Sequence, residues 1–413
     1  MTRLLVIPDE FPLPVNSGGR VDTWRRLQAL QQAGVDLAVL TWFDVHRQGP
    51  PTDAAMLQAQ AVCPQWHLSP ITRGPLEVLR RLLHLGRLPS HAAARWVTLD
   101  HVAVLAWAKV FDPDVILLDR LYGVAAARWL SQQLQVPWLY RSHNREADYM
   151  LGQGRRAQGA KARLGLWANQ VGLAGLERRT LQDAAVVLDI SASDAAHWQQ
   201  LGVDHAQWLP PVADAVLADA LAACGAPTDW DVMYFGNLNT PNNLEALGWF
   251  IEQVLPRLST PGLRVAVVGS RPAPLAHQLV GRDARITLVA DPPAMAPLMA
   301  AARVLVNPMR SGSGVNLKSV DMLCSRAHLV STRVGVAGMP PQAVACFAVH
   351  DQPDGFAQAV ADALLRAAPD AAALHARRQA RQAFDAADVA AAVLAACAKA
   401  ISGGADGRQA QHG

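Results

Sequence analysis

Apolar residues fall along this chain in short runs separated by amphipathic stretches. Leu4, Leu5, Val6 and Ile7 form a run suited to a buried strand. A loop with Pro8, Pro12, Pro14, Gly18 and Gly19 follows. Val21, Trp24, Leu27 and Leu30 then recur every three residues, which predicts an amphipathic helix, and Gly34 is placed to cap it. Residues 35–41 read as the next strand. Strand, helix and strand at this spacing make a βαβ unit, hence a parallel sheet. The alternation continues with strands over 115–118, 137–141 and 184–190, and with helices over 123–134 and 193–201. Around residues 208–212 the periodicity stops, and Pro210 with Pro211 suits a stiff connection between domains.

A second alternating series opens at Asp231. Strands are predicted over 232–235, 264–268, 285–289, 304–307 and 329–332, with a further apolar segment over 344–349. Helices are predicted over 241–255, 274–280, 295–302, 315–325 and 353–367. Thr240 serves as N-cap of the first, with Pro241 in its first position. An alanine-rich helical stretch runs to about 401, and 403–413 reads as a polar, disordered tail. The expected fold is therefore α/β, with two Rossmann-like doubly wound halves. The first spans 1–210 and the second 211–385, and a helix over 386–402 is expected to pack back on the first. Ligands of such sheets bind beyond the carboxyl ends of the strands, so a central cleft faced by both halves is the expected site.

Composition narrows the function. The chain has 413 residues, 51% of them apolar and 17% charged, enough to build large cores and to exclude disorder over most of the length. Lys and Arg number 37 against 34 Asp and Glu, a balance that argues against nucleic-acid binding by bulk charge. The five cysteines are scattered without a CxxC pair, which argues against a disulfide framework or zinc site and for a reducing cytoplasm. The apolar run ending at Pro8 is too short for a signal-peptide core. No uncharged apolar run reaches about 18 residues, the length a membrane span needs. The nearest, 102–111, is interrupted by Lys109.

Four loops carry candidate chemistry. The first, Asn16 to Arg20, follows a strand and opens a helix. Gly18 and Gly19 let backbone N–H groups approach an anion, and the helix start adds about half a positive charge. The same residues also fit a plain flexible loop. The spacing is not GxGxxG, so a nicotinamide dehydrogenase is disfavoured. The second runs from Ser311 to Asp321, through Gly312, Ser313, Gly314, Val315, Asn316 and Lys318. Gly314, Lys318 and Asp321 are offset by four and seven residues, so one helix face would offer backbone donors, a cation and a carboxylate in order. That suits a nucleoside diphosphate, with Asp321 on the ribose; a solvated Lys–Asp pair behind a turn is the plainer alternative. The third places His143 after a strand of the first half, where it would position a hydroxyl or move a proton. The fourth, Phe235 to Asn243, has Gly236 for close ligand approach and Asn237 as donor and acceptor, although Asn and Thr also favour helix starts.

Two basic-apolar stretches add a question about partners. Arg73, Arg80, Arg81 and Arg87 lie among Leu76, Val78, Leu79, Leu82, Leu83 and Leu85. Arg155, Arg156, Lys161 and Arg163 precede Leu164, Leu166 and Trp167. Both fit either an ordinary surface helix or an interfacial helix in peripheral contact with anionic lipid.

With these residues in view, the chain resembles glycosyltransferase family 4, the retaining "glycosyl transferases group 1" enzymes of GT-B fold. The resemblance rests on residues 234–243, 267–272, 307–321 and 329–339, with Ser17 to Gly19, His143, Asn144 and Glu146 in the first half. The two glutamate positions of the family hold Ser313 and Asp321 here. Its diphosphate-clamping Arg and Lys are replaced by Asn237 and its polar neighbours, which leaves Lys318 and, second, Arg271. The resemblance implies transfer of a sugar, with retention, from a nucleotide-sugar co-substrate to a glycan or lipid-linked acceptor. It implies no cofactor and no metal, and there is no DxD in a plausible loop. His143, Lys318 and Asp321 would carry the chemistry. Gly18, Gly19, Arg20, Gly236, Asn237, Arg271, Gly312, Ser313, Gly314, Val315 and Asn316 would bind the donor. Two other readings fit the same fold: a nucleotide-sugar 2-epimerase, and a non-catalytic binding subunit.

Overall fold

The computed structural model describes residues 2–156, 159–225, 229–312 and 314–409. It divides into two compact units, residues 1–210 with 386–413, and residues 211–385. The N-terminal unit is built on seven strands: β1 Arg3–Pro8, β2 Asp36–Asp44, β3 Gln65–Ile71, β4 Val115–Asp119, β5 Trp138–Ser142, β6 Val186–Asp189 and β7 Ala206–Trp208. All pair in parallel, in the order β3-β2-β1-β4-β5-β6-β7. Strands buried on both faces need continuous apolar runs rather than alternation, and Leu4 to Ile7 and Val115 to Leu118 are at most 1% exposed. The order reverses between β1 and β4, the switch point at which this architecture leaves a crevice.

The C-terminal unit repeats the plan with six parallel strands: β8 Trp230–Asn237, β9 Val265–Ser270, β10 Ile286–Ala290, β11 Ala302–Asn307, β12 His328–Ser331 and β13 Ala348–Val349. Their order is β10-β9-β8-β11-β12-β13, with the switch point between β8 and β11. Tyr234, Phe250, Val267, Val306 and Phe356 lie in its core. The two doubly wound Rossmann-like units are those of the GT-B fold.

Several elements differ from expectation. β3, β7 and the helices over 53–62, 90–97, 101–111, 146–156, 173–183 and 215–223 are additional, and the two basic-apolar stretches form helices over 75–83 and 160–170. The helix expected over 241–255 is α-helical only over Pro241–Trp249. It continues as a π-helical turn, Phe250–Val254, and a 3₁₀ turn, Leu255–Arg257, where Pro256 has no N–H for the α ladder. The helix expected over 315–325 is Leu317–Met322. The apolar segment at 344–349 is split between the helix Pro341–Val344 and β13.

The chain end departs most. Where a polar disordered tail was expected from Gly403, the helix Ala386–Gln409 runs on; residues 410–413 lie outside those described. Val389, Ala390, Val393, Ala396, Cys397 and Ala400 form its buried stripe at helical spacing. These small residues let it pack against the helix Gly18–Gln32 and against β4, β5 and β6 of the N-terminal unit.

Candidate functional site

In the N-terminal unit the chemistry gathers at the switch point, around the ends of β1, β4 and β5. Asp119 closes β4 with its side chain fully buried. Its Oδ2 accepts from Thr23 Oγ1 at 2.7 Å and from Arg26 Nη2, and its Oδ1 lies 2.6 Å from His143 Nε2. Arg26 Nη1 also donates to Asp22 Oδ2 at 2.6 Å, and Arg141 Nη2 reaches Asp22 at 3.3 Å. Arg141 Nη1 donates to the Leu209 carbonyl at 2.7 Å, which fixes the chain leaving the unit. Two carboxylates and two guanidiniums therefore compensate one another inside the fold.

Their titration follows from this pairing. Burial alone would raise Asp22, but Arg141, Arg26 and His143 outweigh it and hold the carboxyl at about 2. Asp119 is likewise raised by burial and lowered more strongly by Arg26 and His143, well below the usual range. Burial pulls His143 down, against the attraction of Asp119. An ionised carboxylate only accepts, so the neutral imidazole carries its proton on Nε2. Asp22, Asp119 and His143 bring ligand-type atoms within 4.8 Å of one another. Guanidiniums already occupy these carboxylates, however, and a divalent cation would have to displace them.

The glycine loop lies on the same edge. A Cβ at Gly19 would fall 2.3 Å from Arg120 Nη2, so the Arg120 guanidinium rests on the first turn of the helix Gly18–Gln32. Arg120 holds a φ of 77°, a backbone region most side chains avoid. Arg20, expected on the donor, is buried and bound to Glu10 Oε2 at 2.6 Å. Gly18 opens the helix, and Gly19 and Arg20 meet protein groups there. Asp22, Thr23, Arg26, Asp119, Arg120 and Arg141 were not singled out from the sequence. Their signal was charge placed directly after a buried apolar run, as in Asp119 and Arg120, and an i,i+4 acid–base pair on the helix after the glycines.

In the C-terminal unit the fourth and second loops come together at the switch point between β8 and β11. Lys318 is buried, and its Nζ lies 4.3 Å from the Tyr234 ring centroid and 5.9 Å from that of Phe235. It donates to Asn243 Oδ1 at 3.3 Å. Among the described residues no carboxylate pairs with it, and burial pushes it down to about 7. Tyr234 Oη in turn donates to the Asn243 carbonyl at 2.9 Å. Gly236 makes room here, because a Cβ would stand 3.1 Å from Asn243 Nδ2 and 3.2 Å from Lys318 Nζ. The Asn237 carbonyl accepts from Asn243 Nδ2 at 3.0 Å, which locks the loop.

The glycine segment itself differs from the expected helix start. Asn316 is the N-cap, its Oδ1 accepting from the Lys318 N–H at 3.1 Å. Gly312 and Gly314 have φ of 152° and 66° and precede the helix with Val315. Gly314 therefore does not share a helix face with Lys318 and Asp321, which corrects that expectation. The cause is the Asn316 side chain, which caps the N–H of the second helical residue, Lys318, and so begins the helix later. Asp321 is half-buried on the helix one turn beyond Lys318. Ser313 lies outside the described residues. Arg271 is set at a φ of 49° after β9, with its N–H bonded to Asp291 Oδ1 at 2.8 Å.

Residues 230–366 match the family model Glycosyl transferases group 1. The matched span begins at β8 and includes Tyr234, Gly236, Asn243 and Lys318. The chain is 21% identical over 353 residues to an uncharacterized 44.6 kDa protein in the cps region of Klebsiella pneumoniae, covering 82% of this chain and 84% of that one. Among solved structures it is similar to Anabaena Alr3699/HepE in complex with UDP and glucose, at TM-score 0.60 and 13% identity, covering 95% of this chain and 98% of that one. It is also similar to sucrose-phosphate synthase from Thermosynechococcus elongatus, at TM-score 0.59 and 17% identity, covering 95% and 97%. These likenesses establish the shared fold. Among the described residues no helix is long and apolar enough to cross a membrane.

Proposed function

We propose that the protein is a glycosyltransferase that moves a sugar from a nucleoside diphosphate donor to a hydroxyl acceptor. One observation carries the reading: Lys318 is a buried ammonium with no carboxylate partner among the described residues, set beside Gly236 within the matched segment. An unpaired buried cation is costly, and an anion brought by a substrate relieves it. As the sugar–phosphate bond breaks, its electron pair leaves with the diphosphate, and a preorganised positive charge is worth most at that point. Transfer with retention and without a metal is part of the proposal, supported by the resemblance of residues 307–321 to family 4 enzymes. We assign the acceptor to the N-terminal unit. A glycan or glycolipid of the cell envelope as acceptor is supported by the relative from a cps region. The UDP held by the Anabaena protein makes UDP-sugars the first donors to try.

The test is a thermal-shift and calorimetric panel with UDP, GDP, ADP and TDP and their sugars. A ligand at 100 times its Kd adds about 2.7 kcal/mol of stability, which such a panel detects. Absence of a shift with every nucleotide would overturn the reading. Incubation with donor alone separates transfer from epimerisation, which needs no acceptor.

A further inference from the structure

The helix Pro75–Leu83 has no buried residue. Leu76, Val78, Leu79, Leu82 and Leu83 are between 44% and 77% exposed, and at helical spacing they occupy one side. Glu77, Arg80 and Arg81 occupy the other. Residues 73–87 carry four arginines against one glutamate. Arg80 and Arg87 are exposed, Arg73 pairs with Asp44, and Arg81 donates to the Thr72 carbonyl.

A second exposed apolar surface lies beside it. Leu164 and Trp167, on the helix Ala160–Gln170, are 65% and 54% exposed. Both helices pack against the helix Ser90–Val97. Asn169 Oδ1 accepts from the His91 N–H at 2.9 Å, and the Gly86 carbonyl abuts Gly172 so closely that a Cβ there would lie 2.9 Å away. The exposed leucines and the tryptophan thus belong to neighbouring, mutually anchored helices of one unit.

We propose that this face docks on an anionic lipid surface, with the leucines and Trp167 in the acyl boundary and the arginines at the headgroups. Trp and Leu on one side and arginine on the other is the composition that seats a helix in a bilayer interface. A second copy of the chain is the poorer occupant. A two-fold contact through this face would bring the same arginines against each other, whereas anionic headgroups neutralise them. The inference does not depend on the glycosyltransferase reading.

The experiment is flotation of the full chain with vesicles of pure phosphatidylcholine and with vesicles half phosphatidylglycerol. The expected result is binding about 10-fold greater to the anionic vesicles, weakened by about 0.5 M NaCl. The triple substitution Leu79→Ser, Leu82→Ser, Leu83→Ser should lower that binding about 10-fold. The pair Arg80→Ala, Arg87→Ala should remove most of the preference for anionic lipid. Melting temperature and nucleotide-induced shifts, measured on the same variants, should stay at wild-type values, so a failed nucleotide panel and a failed docking surface are separate results. Equal binding to both vesicle types, no flotation at all, or flotation untouched by the leucine substitutions overturns the proposal. So does a dimer that the leucine substitutions dissociate without any effect on vesicles.

Discussion

His143 Nε2 lies 2.6 Å from Asp119 Oδ1, and Arg26 bridges that same Asp119 to Asp22. The histidine is thereby fixed by a network whose charges cancel within the protein. Its acids set how the fold responds to pH. Asp22 moves from 3.8 down to about 2 on folding. A depressed carboxyl contributes stability that is complete above its unfolded value and is lost as pH falls through its folded value. Asp22 should therefore contribute about 2–3 kcal/mol at neutral pH, lost between about pH 4 and pH 2. Urea melts across that range would measure the loss. Asp22→Asn should flatten the slope and, by leaving Arg26 and Arg141 under-paired, lower stability at pH 7 by about 3–5 kcal/mol. An unchanged acid profile in that variant would remove Asp22 from the account.

Arg120 resting over Gly19 makes a second expectation. Gly19→Ala places a methyl 2.3 Å from Nη2 and 2.7 Å from Cζ of the guanidinium, so the arginine must swing away. The cost should be about 1–3 kcal/mol, as for other overpacked sites. If the clash is the whole cause, Arg120→Ala in the same chain should recover most of that loss. A double-mutant cycle by denaturant unfolding reads the coupling, and additive effects would contradict it.

The sheets were the most legible part of the sequence, because parallel strands buried on both faces leave uninterrupted apolar runs such as Val115 to Leu118. β3 was not legible: Gln65, His67 and Ser69 break its apolar pattern, and it lies at the sheet edge. The glycine loops and His143 stood out as residue types after strands, yet their partners did not. Asp119 and Arg141 stood only as charges at the ends of predicted strands, because the contact that defines them spans 24 residues to His143 in one case and 119 to Asp22 in the other. Lys318 was visible as a cation, but its isolation depends on Tyr234 and Asn243, which only the pairing of β8 with β11 brings near. The late helix start at Asn316 escaped because glycine spacing does not reveal which side chain caps the first turn.

Gly269 on β9 lies opposite Gly236 on β8. A Cβ there would fall 1.9 Å from the Gly236 carbonyl oxygen and 2.7 Å from Leu238 Cγ. Backbone cannot give way as a flexible side-chain end can, so Gly269→Ala should cost at least about 3 kcal/mol and disturb the Gly236 loop. The check is a calorimetric melt together with nucleotide titration. Full nucleotide affinity in a strongly destabilised Gly269→Ala protein would show that the Gly236 loop is not part of the ligand site.

Lys318 ties stability to function in opposite directions. Its ammonium falls from 10.5 to about 7 on burial, so the unfolded chain binds more protons between those values and stability rises with pH across that window. Lys318→Met keeps the length and removes the charge. It should stabilise the nucleotide-free protein at pH 7 by on the order of 1 kcal/mol or more, while nucleotide affinity collapses. Lys318→Ala should lower turnover by about 10²-fold, the typical loss on deleting one charge-stabilising group. In the wild type a bound diphosphate should raise the ammonium back above 7, so binding takes up a proton as pH rises through that value, and affinity weakens at higher pH. Calorimetric titrations at pH 8 in two buffers of different ionisation enthalpy measure that proton directly. Identical heats in both buffers, or a Lys318→Met protein that is less stable and still binds nucleotide, would mean that this ammonium is a structural group and not the anion's partner.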